Sequence, residues 1–123
     1  MLEKAFAEIK ENGTQAVLVV PDPLFNPPKL KVVELSLRYG LASIHSYADW
    51  ARAGGLLSYG EGLAYFLRRS AYFVDKILKG ESPSNLPIEL PANFKLVVNI
   101  KTAAAIGLMV PDSIFARADE VIE

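Results

Sequence analysis

No cysteine occurs among the 123 residues, which excludes disulfides, thiolate metal sites and cysteine nucleophiles. The same absence suits an oxidising or a reducing compartment, so redox chemistry gives no location. Histidine occurs once, as His45, and a site built on two imidazoles or on a Cys–His dyad is excluded with it. Neither sign of charge is in excess: 13 Lys and Arg stand against 14 Asp and Glu. With a formal net charge of -1 the chain exerts no long-range pull on nucleic acid or anionic membrane, and no nucleic-acid partner is expected. Long apolar runs are missing too. The longest is a handful of residues, against the roughly 20 that cross a bilayer. Met1 to Gly13 is amphipathic and charged rather than a basic stretch, an apolar run and a small-residue cleavage site, so no export signal is read there. Neither GxxxxGKS/T nor a GxGxxG after a strand is present, which removes the phosphate loops. Without GxSxG the serine-hydrolase elbow is missing as well.

What is present is apolar substance in short, punctuated pieces. Hydrophobic residues make up 51% of the chain, enough for one core in a single domain over residues 1–123. Leu2, Ala5, Phe6 and Ile9 recur at helical spacing and stop at Gly13. Ala16 to Val20 is a valine-rich run between Gly13-Thr14 and Pro21-Asp22-Pro23, read as a central parallel strand buried on both faces. Pro27 and Pro28 open a helix carrying Leu30, Val33 and Leu37, which ends at Gly40. Leu41 to Ile44 is a second apolar run, and Ser46 with Asp49 reads as a capping box for a helix from Tyr47 to Ala53. Leu56-Leu57 follows, with Tyr59 to Gly62 as a turn. The strongest periodicity belongs to Leu63, Phe66, Leu67, Ser70, Val74, Ile77 and Leu78, one face of a helix that ends at Gly80. Three prolines between Glu81 and Pro91 make a connector. Phe94 to Ile100 reads as the last strand, and Thr102 as the cap of a short helix from Ala103 to Ile106. One or two helical turns around Ile114 and Phe115 complete the tail.

Strands alternating with helices predict a layered α/β/α fold, flavodoxin-like, with a mainly parallel sheet and right-handed crossovers. Ligands of such sheets sit beyond the carboxyl ends of the strands, here Pro21 to Phe25, His45 to Tyr47 and Ser58 to Glu61. Tyr59, beside Gly60 and Glu61, has the ring and hydroxyl to stack on a planar ligand or donate to it, although a tyrosine packed at a chain crossing has the same signature. Tyr47 and Trp50 share a short helix, where aromatics more often fill the core; Tyr47 is the better candidate. His45 reads as a structural polar group rather than a base, despite Ser43, Ser46 and Ser58 nearby. Asn99 and Lys101 end the last strand, where reaching a ligand carboxylate and capping the following helix are equally good explanations.

Four stretches together carry a resemblance. They are Val17-Leu18-Val19-Val20-Pro21-Asp22-Pro23-Leu24-Phe25; Ala53-Gly54-Gly55-Leu56-Leu57-Ser58-Tyr59-Gly60; Asp75-Lys76-Ile77-Leu78-Lys79-Gly80 with Leu86-Pro87-Ile88-Glu89; and Phe94-Lys95-Leu96-Val97-Val98-Asn99-Ile100-Lys101-Thr102-Ala103 running to Gly107 and Pro111. In this order and spacing, over essentially the whole chain, the sequence resembles the C-terminal part of the ABC-transporter substrate-binding family, class I periplasmic binding proteins whose studied members take aromatic amino acids. The resemblance implies one lobe of a bilobed, extracytoplasmic receptor that closes on a small molecule and presents it to a membrane permease, with no enzymatic activity and no cofactor. It implies chain crossings between lobes at Ser58 to Glu61 and Pro87 to Pro91. Helix 61–80 would then pack on a first lobe that lies outside this chain. Left alone, its apolar face has to be covered by repacking on the sheet or by exchange between two copies, a domain-swapped homodimer. The resemblance also gives Asp22 a role, meeting a ligand ammonium group, whereas by itself Asp22 is equally a turn residue between two prolines. The amino-acid binders follow this aspartate with asparagine; Pro23 stands there instead and removes a donor. The expected binding residues are Asp22, Pro23, Tyr47, Tyr59, Gly60 and Glu61. The competing reading is a stand-alone flavodoxin- or receiver-like module that binds a nucleotide or a protein partner.

Overall fold

The computed structural model describes residues 1–25 and 27–123. The chain opens with α1 (Leu2–Glu11), β1 (Ala16–Val19), a 3-10 turn at Pro23–Phe25 and α2 (Lys29–Arg38). It continues through β2 (Ala42–His45), α3 (Ala48–Arg52), β3 (Leu57–Gly60) and α4 (Leu63–Leu78). After a 3-10 turn at Pro83–Asn85 come β4 (Lys95–Asn99), α5 (Ile100–Ala105), α6 (Asp112–Phe115) and β5 (Glu120–Ile122).

The five strands form one sheet in the order β1-β2-β3-β4-β5. β1–β2, β2–β3 and β4–β5 are parallel, and β3–β4 is antiparallel. The mainly parallel α/β fold is therefore as the sequence predicts, with one reversal. That reversal has a plain cause: the chain leaves the sheet at Gly60, runs through α4, and returns beside its own exit, with Gly60 opposite Lys95.

The core lies between the first two helices and the sheet. Phe6, Val32, Val33, Leu35, Leu41 and Trp50 are buried together, with Leu2, Ile9, Val17 and Val19 packed against them. Each large side chain so buried contributes roughly 1.5–3 kcal/mol. Ser36 sits in this apolar surrounding without penalty because its hydroxyl donates to Val32 O at 2.9 Å. α3 is tied to the far half of the sheet: Asn99 Nδ2 donates to Ala51 O at 2.9 Å, and Thr102 Oγ1 donates to Gly54 O at 2.8 Å.

Several local expectations are corrected. β1 is an edge strand, not a central one: its burial alternates and Leu18 is 68% exposed. The predicted capping box is not formed, since α3 starts after Tyr47 with no side-chain cap, and Asp49 instead accepts from Lys29 Nζ at 2.6 Å. Tyr59 and Gly60 belong to β3 rather than to a turn. The cap of α5 is Asn99, whose Oδ1 accepts from Thr102 N at 3.0 Å, so the helix starts before Thr102. Phe94 to Ile100 is not the last strand; three residues of the tail form β5, clamped by Arg52 Nε donating to Glu120 Oε1 at 2.9 Å.

α4 has the periodicity expected of it but no cover. None of its 16 residues is buried, and Leu63, Phe66, Leu67, Val74, Ile77 and Leu78 are all exposed. It is not folded back onto the sheet. Its local partner is the connector, through an ion pair between Arg69 and Glu89.

Candidate functional site

The carboxyl ends of β1, β2 and β3 meet at two adjoining recesses that share Pro21, Ser46 and Tyr47. The smaller is a crevice of about 10 Å³ lined by Val19, Asp22, His45 and Trp50 among others, room for a group the size of one water. The larger, about 190 Å³, is walled by Tyr47, Tyr59, Glu61, Phe66 and Phe94, with Gly60 and Pro91. Five of the six expected residues thus come together. Pro23 does not: it opens the exposed 3-10 turn and lines neither recess.

Local rules explain why each wall stands where it does. Gly60 lets the end of β3 touch the loop after β2, because a Cβ there would lie 2.2 Å from Ser46 O. A glycine inside a strand often marks such a close backbone approach. Tyr59 stacks on Phe94 with ring centroids 5.3 Å apart, an aromatic pair made possible by the antiparallel return of β4. Phe66 reaches the same recess from the first turns of α4. Phe66 and Phe94 were not expected at the site. Their sequence signals, a helix stripe and a strand start, are those of core residues, and only the chain reversal brings them to Tyr59.

The polar groups divide into spent and unspent. Asp22 Oδ1 accepts from Leu24 N at 2.8 Å, the bond of a turn aspartate, and the side chain is exposed. Glu61 is buried at the end of β3; its Oε2 accepts from Ala92 N at 3.3 Å, while Oε1 has no hydrogen-bond partner among the described residues. His45 is buried and stacked on Trp50, centroids 4.7 Å apart, with both ring nitrogens unpartnered. Burial lowers its pKa from an ordinary 6.5 to about 4, with Asp49 opposing the shift. The imidazole is therefore neutral at pH 7, as a structural group would be. Ser58, opposite His45 in the β2–β3 register, also has an unpartnered hydroxyl, whereas Ser43 Oγ accepts from Leu56 N at 3.1 Å. Asn99 is consumed by capping and by its bond to Ala51, and Lys101 lies exposed on α5. Among the described residues there is no group of three metal-ligating side chains, and no helix is long and apolar enough to cross a membrane.

The chain is thus a mostly parallel α/β unit with recesses at its strand tips, beside a helix without cover among the described residues. The particular family follows from comparison: the family described as ABC transporter substrate binding protein matches residues 2–122, and the chain belongs to it. That family is a transporter binding protein, not an enzyme. No curated protein matches the chain. Among solved structures, the chain is similar to a conserved domain protein from Vibrio cholerae, with 19% identity and a TM-score of 0.87 over 97% of this chain and 40% of that one. It is similar to an ABC domain in complex with L-Trp from Streptococcus pneumonia, with 22% identity and a TM-score of 0.85 over 98% of this chain and 41% of that one. It is also similar to a ligand-free, open substrate-binding protein with adhesive properties from Clostridium difficile, with 18% identity and a TM-score of 0.62 over 98% and 40%. These likenesses show the fold. The chain spans about 40% of the length of each of these proteins.

Proposed function

We propose that this chain forms the C-terminal lobe of an extracytoplasmic solute receptor for an ABC importer, and that a small molecule, an amino acid or an aromatic compound, binds at the strand-tip recesses. The observation that carries the reading is the junction of the 190 Å³ recess with α4 at Phe66. One wall of a pocket is built, and the helix beside it presents a bare apolar face of a size that water does not tolerate without a partner. The first lobe of the same protein covers that face and supplies the opposite wall.

Two further features support the assignment. The exit of the chain at Glu61 and its return at Ala92 are bonded to each other, so the two crossings run side by side, the arrangement of a hinge. Solute binding rather than chemistry agrees with a site whose one histidine is buried and neutral.

The test is calorimetric titration of L-tryptophan, L-tyrosine and a panel of aromatic solutes into the full-length protein and into residues 1–123 alone. Binding by the full-length monomer, lost in the isolated lobe, is expected. Equal affinity in both would refute the two-wall cleft, and a stable dimer of the full-length protein by light scattering would refute cover of α4 by its own first lobe.

A further inference from the structure

The larger recess has a chemical bias that its size and place do not explain. Its aromatic walls are Tyr47, Tyr59, Phe66 and Phe94, and no lysine, arginine or histidine lines it. The single ionisable carboxyl group on it is Glu61, 4% exposed. One oxygen of that group is held by the Ala92 amide; the other is buried without any hydrogen-bond partner, and Glu61 takes part in no ion pair among the described residues. A buried acceptor left unpaired is costly, and ring faces carry negative potential that attracts cations and repels anions.

We propose that this recess is an ammonium subsite: the aromatic walls enclose the cationic head of an organic amine or quaternary ammonium solute, and Glu61 is the counter-charge that anchors it. The terminal carboxylate torsion of glutamate is broad, so a small rotation turns the unpartnered oxygen towards a group entering beside Tyr59. Asp22 is the weaker anchor, since it is exposed and one of its oxygens already closes the turn to Leu24. A ligand carboxylate, by the same electrostatics, is turned away from this wall and has to be met by the other lobe. The inference rests on the reading of the recess as half of a solute cleft and adds the charge that it selects.

The experiment uses the full-length protein and matched probes. Choline is compared with its neutral isostere 3,3-dimethylbutan-1-ol, and phenethylamine with 2-phenylethanol, by calorimetry at constant ionic strength. At least one cation is expected to bind tenfold or more tightly than its neutral partner. Glu61→Gln, which keeps an oxygen for the Ala92 amide, brings that ratio close to one, and Asp112→Asn, at an exposed carboxylate that starts α6 and lines neither recess, leaves it within about twofold. A ratio near one in the unaltered protein, no binding of either cation at 10 mM, or a preference that survives Glu61→Gln would each overturn the assignment. Because the readout is a ratio within one variant, loss of folded protein does not mimic the result. If a neutral or anionic solute instead raises the melting midpoint in a way that Tyr59→Ala abolishes, Glu61 as anchor falls while the cleft itself stands.

Discussion

Replacing Gly60 with alanine tests whether the tip of β3 is seated against the loop after β2. The added Cβ would stand 2.2 Å from Ser46 O and 3.1 Å from Ser46 C. Real Cβ contacts essentially never fall below 3.0 Å, so the Ser46 carbonyl or the strand has to retreat by about 0.8 Å or more. The obstacle is backbone, pinned between two strand ends, so a side-chain rotation does not relieve it. Overpacking of this kind costs ~1–3 kcal/mol, and the rigid partner puts Gly60→Ala at the upper end, about 2–3 kcal/mol. With a urea dependence of about 1–3 kcal/mol per molar for small domains, the unfolding midpoint falls by roughly 0.7–3 M. Gly62 is the control. A Cβ there meets nothing within 4 Å, and its φ of -67 suits any residue. Gly62 is also the N-cap of α4, where alanine is the poorer residue, so the gain of about 0.4–1 kcal/mol through the unfolded chain is offset and Gly62→Ala stays within about 1 kcal/mol of the unaltered protein. Urea titrations of the two variants, followed by tryptophan fluorescence from Trp50, decide the matter. Equal midpoints for Gly60→Ala and Gly62→Ala would refute the close approach and with it the shape of the larger recess.

Two other expectations follow from buried polar groups. His45 has a folded-state pKa of about 4, below its ordinary 6.5. Its neutral form is therefore the one the fold accepts, and its contribution is complete above pH 6.5 and lost as the pH falls towards 4, by at most roughly 3 kcal/mol. Stability curves over this window should flatten in His45→Leu. Asp119 and Glu120, held below the usual carboxylate range chiefly by hydrogen bonds from Lys95 and Arg52, give up their charge only at lower pH. An unchanged slope in His45→Leu would count against burial of the ring. Asn99→Ala removes the cap of α5 and one of the two donors to the Ala51 carbonyl, which keeps its bond from Gly54 N, and should cost about 1–3 kcal/mol in urea unfolding; a loss under 0.5 kcal/mol would mean that neither bond matters.

How legible this was in the sequence depends on how local each signal is. α4 was legible because seven residues at helical spacing outvote any one substitution. β1 was misplaced because a valine-rich run reads as central, whereas Val17 and Val19 pack against the core from one face only and Leu18 is left exposed on an edge strand. Tyr59-Gly60 looked like a turn since glycine usually breaks strands, whereas here it is required by the Ser46 carbonyl. β5 is three residues long, too short to carry a period. The strand-end rule pointed to Asp22, Tyr47, Tyr59, Gly60 and Glu61, which the structure places around the two recesses. Phe66 and Phe94 lay beyond it, because their meeting with Tyr59 depends on a return path that no local pattern encodes.

The outer side of β1 has its own consequence for handling the molecule. A row of unpaired amides flanked by branched apolar side chains is a template, and the cheapest partner for it at high concentration is the same row on another molecule. Expressed as this stretch alone, the polypeptide should thicken into edge-to-edge oligomers before it unfolds, and a lysine at position 18 should keep it dispersed.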